Sequence, residues 1–180
     1  VHSQKDVDRF KYFGKSLLAN GGEISYHGYN HQPLTPKGVD YGDEFPTYKT
    51  WKDKKAMASA ISELLRFTKE LFPKGEKSIY IPPSNVLSKE GRQVLREKFP
   101  EIKSIASNYF PGKFTYSQEF EVADDGMIEQ PRIVSGASWD AYSKLTVFSE
   151  LNMHYVTTHF LHPDDVLDED RGAKLGWPKL

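Results

Sequence analysis

The ten residues Gly22-Glu23-Ile24-Ser25-Tyr26-His27-Gly28-Tyr29-Asn30-His31 run a short strand, 23–26, directly into a turn that carries two imidazoles. His27 and His31 stand four positions apart. On one helical turn that spacing puts both rings on one face and lets them share a divalent ion. Solvated or hydrogen-bonded loop histidines are the plainer alternative. The surroundings favour the metal, because the pair follows a strand and is interleaved with Gly, Tyr and Asn instead of core aliphatics. It is also one ligand short of a site that a carboxylate completes while leaving water bound.

Working outward, residues 6–19 place Val7, Phe10, Phe13 or Gly14, Leu17 and Leu18 at helical spacing, and Asn20-Gly21-Gly22 supplies a left-handed-tolerant end. Residues 27–50, rich in Gly, Pro and Tyr without periodicity, read as a long loop starting at the strand's C-terminal end. Thr50 is the expected cap of a helix over 51–71, with Met57, Ala60, Ile61, Leu64, Leu65, Thr68 and Leu71 in one stripe and Pro73 and Gly75 as the stop. Residues 78–81 form an apolar strand ended by Pro82-Pro83, and Ser88 caps a helix to 99 carrying Val94, Leu95 and Phe99. Strands follow at 102–107 and 119–122, then a turn at Asp124-Asp125-Gly126 and a segment 128–134 containing Arg132. A helix over 138–152 is expected to bury Trp139, Tyr142, Leu145, Phe148 and Leu151, and 155–158 is the last strand.

Strands alternating with helices predict an α/β fold with a mostly parallel sheet, in which ligands sit at the carboxyl ends of the strands. The turns at 27–31, 82–85 and 159–165 all fall at such ends and are expected to converge. The 180 residues carry 24 Lys+Arg against 25 Asp+Glu, with 38% hydrophobic and 13% aromatic content, enough for one domain with a core. The absence of Cys removes disulfides, thiolate zinc sites, iron–sulfur clusters and a cysteine nucleophile. A net charge of −1 without a basic run argues against a nucleic-acid surface. No stretch reaches the roughly 20 apolar residues that membrane insertion requires. A start at Val1-His2-Ser3-Gln4, with no signal-peptide pattern, reads as a piece of a longer chain with further strands upstream. No phosphate loop, nucleophile elbow or dinucleotide fingerprint occurs.

The string from Gly22 to His31 resembles the His-x-x-x-His motif of the polysaccharide deacetylase superfamily, carbohydrate esterase family four, where the motif also follows a strand. The resemblance implies an incomplete or distorted (β/α) barrel of the polysaccharide deacetylase type, with His27 and His31 as ligands of a divalent metal, most often Zn2+. Ile81-Pro82-Pro83-Ser84-Asn85 is similar to the Pro-containing wall of the family's substrate groove, although the Arg usual before those prolines is absent. Arg132 is the candidate for a comparable orienting role. Phe160-Leu161-His162-Pro163 is similar to the late strand-end motif whose His acts as general acid, with His162 preferred and His159 as the second candidate. The two Asp after His162 are expected to orient its ring. The family's early Asp-Asp motif, carrying the base and third ligand, has no counterpart here, since Asp6 and Asp8 precede a helix; it is expected upstream of Val1.

The implied activity is deacetylation of an N-acetylated polysaccharide outside the cell or in the cell envelope. Among loop aromatics, Tyr29 and Tyr109 are the first candidates for stacking on sugar rings, while most of the others read as packing. His154 reads as a satisfied core histidine. The acidic run from Asp164 to Asp170 lacks calcium-loop spacing and reads as a solvated helix start or loop. Two rival readings stay open: a glycoside hydrolase on a related barrel, needing paired carboxylates such as Asp164 with Glu44 or Glu129, and a catalytically inactive glycan-binding domain.

Overall fold

The computed structural model describes residues 3–36, 49–74, 77–107, 119–136 and 140–168. Helix α1 spans Gln4–Ala19, capped by the Ser3 hydroxyl, which accepts from the Asp6 N–H. Helix α2 spans Lys54–Leu71, and its cap is Asp53, which accepts from the Ala56 N–H at 2.8 Å, instead of the expected Thr50. Trp51 stays outside the helix because its indole N–H donates to the Pro33 carbonyl at 3.0 Å and ties down the preceding segment. Strand β1 is Ile79–Tyr80, helix α3 is Lys89–Lys98, and strand β2 is Ser104–Ile105. Ser88 caps α3 as its sequence predicts: the hydroxyl accepts from the Gly91 N–H at 2.9 Å and donates to the Leu34 carbonyl at 2.8 Å.

The remaining elements are β3 (Glu121–Val122), β4 (Ile128–Glu129), β5 (Val134–Ser135), α4 (Ala141–His154), β6 (His159–Phe160) and α5 (Asp164–Leu167). β1, β2 and β4 pair parallel, with β3 antiparallel on the edge of β4, and β5 pairs parallel with β6 in a second sheet. Tyr26 adds a parallel bridge to Tyr80 on the outer side of β1, and the Arg132 N–H donates to the Ser107 carbonyl beyond the end of the β2–β4 ladder. Tyr26, β1, β2 and β4 are therefore successive parallel segments of one sheet, and β5 with β6 is a second parallel pair, as the alternating pattern predicts.

Period-two alternation then divides the side chains between two faces. Tyr26, Tyr80, Ile105 and Glu129 are buried, and the first three pack with Met57 and Ile61 of α2 and Val94 and Leu95 of α3 in one core. Residues of the opposite parity, Ser25, His27, Ile79, Ile81, Ala106, Gln130 and Arg132, face a common cavity. On the helix side Arg92 of α3 grips the Asp125 carboxylate with both ends of its fork, at 2.6 and 2.7 Å, and also pairs with the buried Glu129.

Two sequence expectations fail for tertiary reasons. The stripe expected to bury in α4 faces outward, with Tyr142, Leu145, Phe148 and Leu151 exposed and Val147 the buried residue; Trp139 lies outside the described residues. Periodicity marks an apolar face but says nothing of what covers it, and β5 is the element against which α4 packs most among the described residues. The strand expected over 155–158 is displaced. Helix α4 continues to His154, Tyr155 takes the left-handed cap position at φ 60°, and the ladder begins at His159.

Candidate functional site

His27 lies one residue beyond the Tyr26 bridge, and its Nδ1 bonds the Ile81 carbonyl oxygen at 2.9 Å. A carbonyl only accepts, so Nδ1 carries the proton and the Nε2 lone pair points elsewhere. That arrangement fixes a metal-ligating histidine in the correct tautomer. Gly28 follows with φ 73°, and the chain then makes a short 3-10 turn, Tyr29–His31, in which Asn30 and His31 also have positive φ, 51° and 54°. This tight reversal carries the His31 ring back against that of His27, edge to face, with centroids 4.8 Å apart. The two imidazoles are thus neighbours as their spacing predicts, although the turn is tighter and more strained than the α-helical turn invoked for it.

A second turn of the same kind lies beneath the first. Pro83–Asn85 forms a 3-10 turn with Ser84 and Asn85 at φ 51° and 61°. A Cβ on Gly28 would lie 2.4 Å from Pro83 Cγ, so the two turns are in direct contact and only glycine fits there. Pro82 and Pro83 are both buried; they support the histidine turn from below and do not line the cavity. The Asn85 side-chain oxygen accepts from the Arg132 guanidinium.

The cavity has a volume of about 440 Å³, and its wall includes His27, Arg132, His159, Phe160 and His162. Arg132 is 9% exposed, with its Cζ 4.2 Å from the Phe160 ring centroid, and the Phe160 ring packs edge to face with His162, centroids 4.3 Å apart. His159 Nε2 bonds the Gly136 carbonyl oxygen at 2.7 Å. The carboxylate of Asp165 accepts from the backbone N–H of His162 at 2.8 Å, which shapes the turn into α5 and is a different contact from the expected one to the ring.

Burial at the cavity wall pulls the His27 pKa below its ordinary value; the bond to Ile81 opposes that, and the charges of His31, Arg132 and His162 deepen it. His27 is therefore neutral near pH 7, the form that binds a cation. Those causes also show that four of the expected residues share one electrostatic neighbourhood.

Tyr29 is half-buried in its turn and is not part of the cavity wall, and Tyr109 lies outside the described residues. Among the described residues, no group of three His, Cys, Asp or Glu converges as a metal site. The donor set present is two neighbouring imidazoles, His27 of them held by its Nδ1 bond in the tautomer that ligates through Nε2, which is two of the three protein ligands of a catalytic zinc site. His154 is not a core residue: it ends α4, pairs with Glu150 at 2.8 Å and stacks on Phe120. Of the carboxylates a glycoside hydrolase would need, Glu129 is engaged by Arg92 on the helix side of the sheet, and Glu44 lies outside the described residues. The sequence reading missed the Ile81 carbonyl, the Gly28–Pro83 contact and the Phe160 ring, whose roles depend on partners distant in the chain.

A family model described as "Uncharacterised protein conserved in bacteria (DUF2194)" matches residues 3–180, so the chain belongs to that bacterial family, whose description names no activity. No curated protein and no solved structure matches the chain. Among the described residues, no helix is long and apolar enough to cross a membrane.

Proposed function

We propose that this domain is a metal-dependent deacetylase of N-acetylated polysaccharides, built on an incomplete (β/α) barrel of the polysaccharide deacetylase type and working outside the bacterial cell or in its envelope. The observation that carries the reading is the histidine pair at the end of a parallel segment. Its first ring is held by a backbone carbonyl in the metal-binding tautomer, at the rim of a cavity that also holds His159, His162 and Arg132. Parallel order, strand-end placement and cavity support the barrel reading in the same way.

His27 and His31 would hold the ion, which when bound polarises an amide carbonyl and lowers the pKa of its water to about 7. The chain's own contribution is proton transfer and orientation. His162, on the cavity wall and within electrostatic reach of His27, gives its ring proton to the departing sugar amine. An imidazole suits that step because its ordinary pKa, about 6.5, leaves a transferable proton near neutrality. His159 is the weaker candidate, since one of its ring nitrogens is committed to the Gly136 carbonyl. Asn85 and Arg132 hold one another, and through Gly28 and Pro83 the same turn sets the height of the histidine pair. Two further carboxylates, one as third ligand and one as the base that deprotonates the water, would complete the site.

The test is the metal content of the full-length protein purified without chelator, measured for the native sequence and for His27→Ala and His31→Ala. Acetate release from chitin and peptidoglycan oligosaccharides is measured alongside, with His162→Ala as a further variant. One zinc per chain, lost in both ligand variants, with acetate release that disappears in His162→Ala while zinc remains, is the expected result. Zinc content unchanged by either ligand substitution overturns the site, and a metal-free native protein turns the reading to an inactive glycan-binding domain.

A further inference from the structure

Arg132 is a group whose charge the described residues leave unbalanced. Its guanidinium is nine-tenths buried, and its Nε hydrogen-bonds to nothing among the described residues. Its partners are neutral: the Asn85 amide oxygen and the face of Phe160. An unmade bond on a buried charged group is costly, so a native structure retains one where something else completes it. The nearest buried carboxylate in the sequence, Glu129, has the opposite strand parity and is engaged by Arg92 across the sheet. Among the described residues, the wall of the cavity contains one guanidinium, three imidazoles, a Gln, a Ser and a Thr, with no Asp or Glu. The charge that balances Arg132 is thus not supplied by the described chain.

We propose that Arg132 anchors a carboxylate-binding subsite in the cavity behind the histidine pair, and that the molecule processed here is an acidic saccharide. The carboxylate part stands on the Arg132 geometry alone; that the carrier is a sugar rests on the glycan reading above. A single guanidinium, with Ser25, Gln130 and Thr158 as the neutral polar groups around it, balances one negative charge, which matches a carboxylate and not a dianionic phosphate. Ile79, Ile81, Ala106 and Phe160 supply the apolar surface that suits the CH face of a pyranose. A volume of about 440 Å³ lies in the range of small-molecule sites and holds a monosaccharide unit with its acid group against Arg132.

The experiment uses the full chain as purified, at pH 8, above the ordinary imidazole pKa of about 6.5. Binding of glucuronate is compared with that of its neutral amide, glucuronamide, and with acetate, by calorimetry. The native protein is expected to bind glucuronate about tenfold or more tighter than glucuronamide, the size expected of one charge-assisted hydrogen bond. Two variants locate the effect. Arg132→Gln removes the charge, and Asn85→Asp places a carboxylate of nearly the same shape against the guanidinium, neutralising it from inside. Both are expected to abolish the preference for glucuronate over glucuronamide. Should Arg132→Gln lose its fold by circular dichroism, Asn85→Asp decides alone, since Asp tolerates the positive φ of Asn85.

Equal binding of glucuronate and its amide overturns the proposal. So does a preference that persists in a folded variant, because the anion then sits on a metal or an imidazole. Acetate bound as well as glucuronate overturns the saccharide part. These outcomes are separate from those of the deacetylase test: zinc and acetate release with no preference for glucuronate removes the subsite alone, and the preference without acetate release removes the deacetylase alone.

Discussion

At the scale of single residues, the site depends on a glycine. Gly28 combines φ 73° with a Cβ position 2.4 Å from Pro83 Cγ, whereas Gly21, at φ 83°, has open space where its Cβ would be. Alanine at either position pays the left-handed strain, ~1–2 kcal/mol, but only at Gly28 does it also push two turns apart. Gly28→Ala is therefore expected to lower Tm by several degrees and to weaken zinc binding. Gly21→Ala should lower Tm by less and leave the zinc titration unchanged. Equal effects of the two on zinc would mean that the Gly28–Pro83 contact does not set the histidine geometry. The histidine pair was legible in the sequence because both rings belong to one five-residue turn. The Ile81 carbonyl that orients His27 was not, being 54 positions away.

At the scale of elements, α3 is tied to the turn between β3 and β4 by an ion-pair cluster that the sequence reading recorded only as a turn. Hydrogen bonds from Arg92 hold the Asp125 carboxyl below its ordinary pKa; burial opposes this, and the Met127 N–H and the charges of Arg92 and Arg96 add to it. The folded chain thus keeps Asp125 ionised to lower pH than the unfolded chain does. Its contribution to stability is complete above the unfolded value of about 3.9 and is lost as pH falls through the lower folded value. Unfolding free energy measured between pH 6 and pH 2, roughly the span over which such a carboxylate titrates, is expected to fall below about pH 4, and to fall less steeply in Asp125→Asn. An identical slope in the variant would assign acid sensitivity to other carboxylates. The helix caps at Ser88 and Ser3 were readable or nearly so from local chemistry, since a cap needs only a hydroxyl and the next turn. The α2 cap moved from Thr50 to Asp53 because Trp51 has a tertiary partner in Pro33.

At the scale of the whole molecule, the described residues leave two helices with bare apolar faces. Tyr142 is 76% and Phe148 63% exposed on α4, and Phe13 is 61% exposed on α1. Contiguous patches of this kind on a soluble domain mark surfaces that normally meet something else. The 180-residue segment in isolation is accordingly expected to self-associate with rising concentration in analytical ultracentrifugation. The double substitution Tyr142→Ser and Phe148→Ser should suppress that association with a change in stability within about 0.5 kcal/mol, as befits exposed positions. Association that survives the substitution would place the adhesive surface elsewhere.

What the sequence by itself determined is local in origin: alternating strands and helices and hence parallel order, the cap at Ser88, and a strand-end turn with two histidines in reach of one another. Each of these follows from chemistry within a few residues. What only the tertiary structure decided depends on atoms that meet across the chain. The Ile81 carbonyl selects the His27 tautomer, Pro83 requires Gly28, Asn85 and Phe160 enclose Arg132 without neutralising it, and the apolar stripe of α4 finds no cover among the described residues. A hydrophobic period or a motif specifies which face or which side chain is offered; its partner is set by the path of the backbone through space.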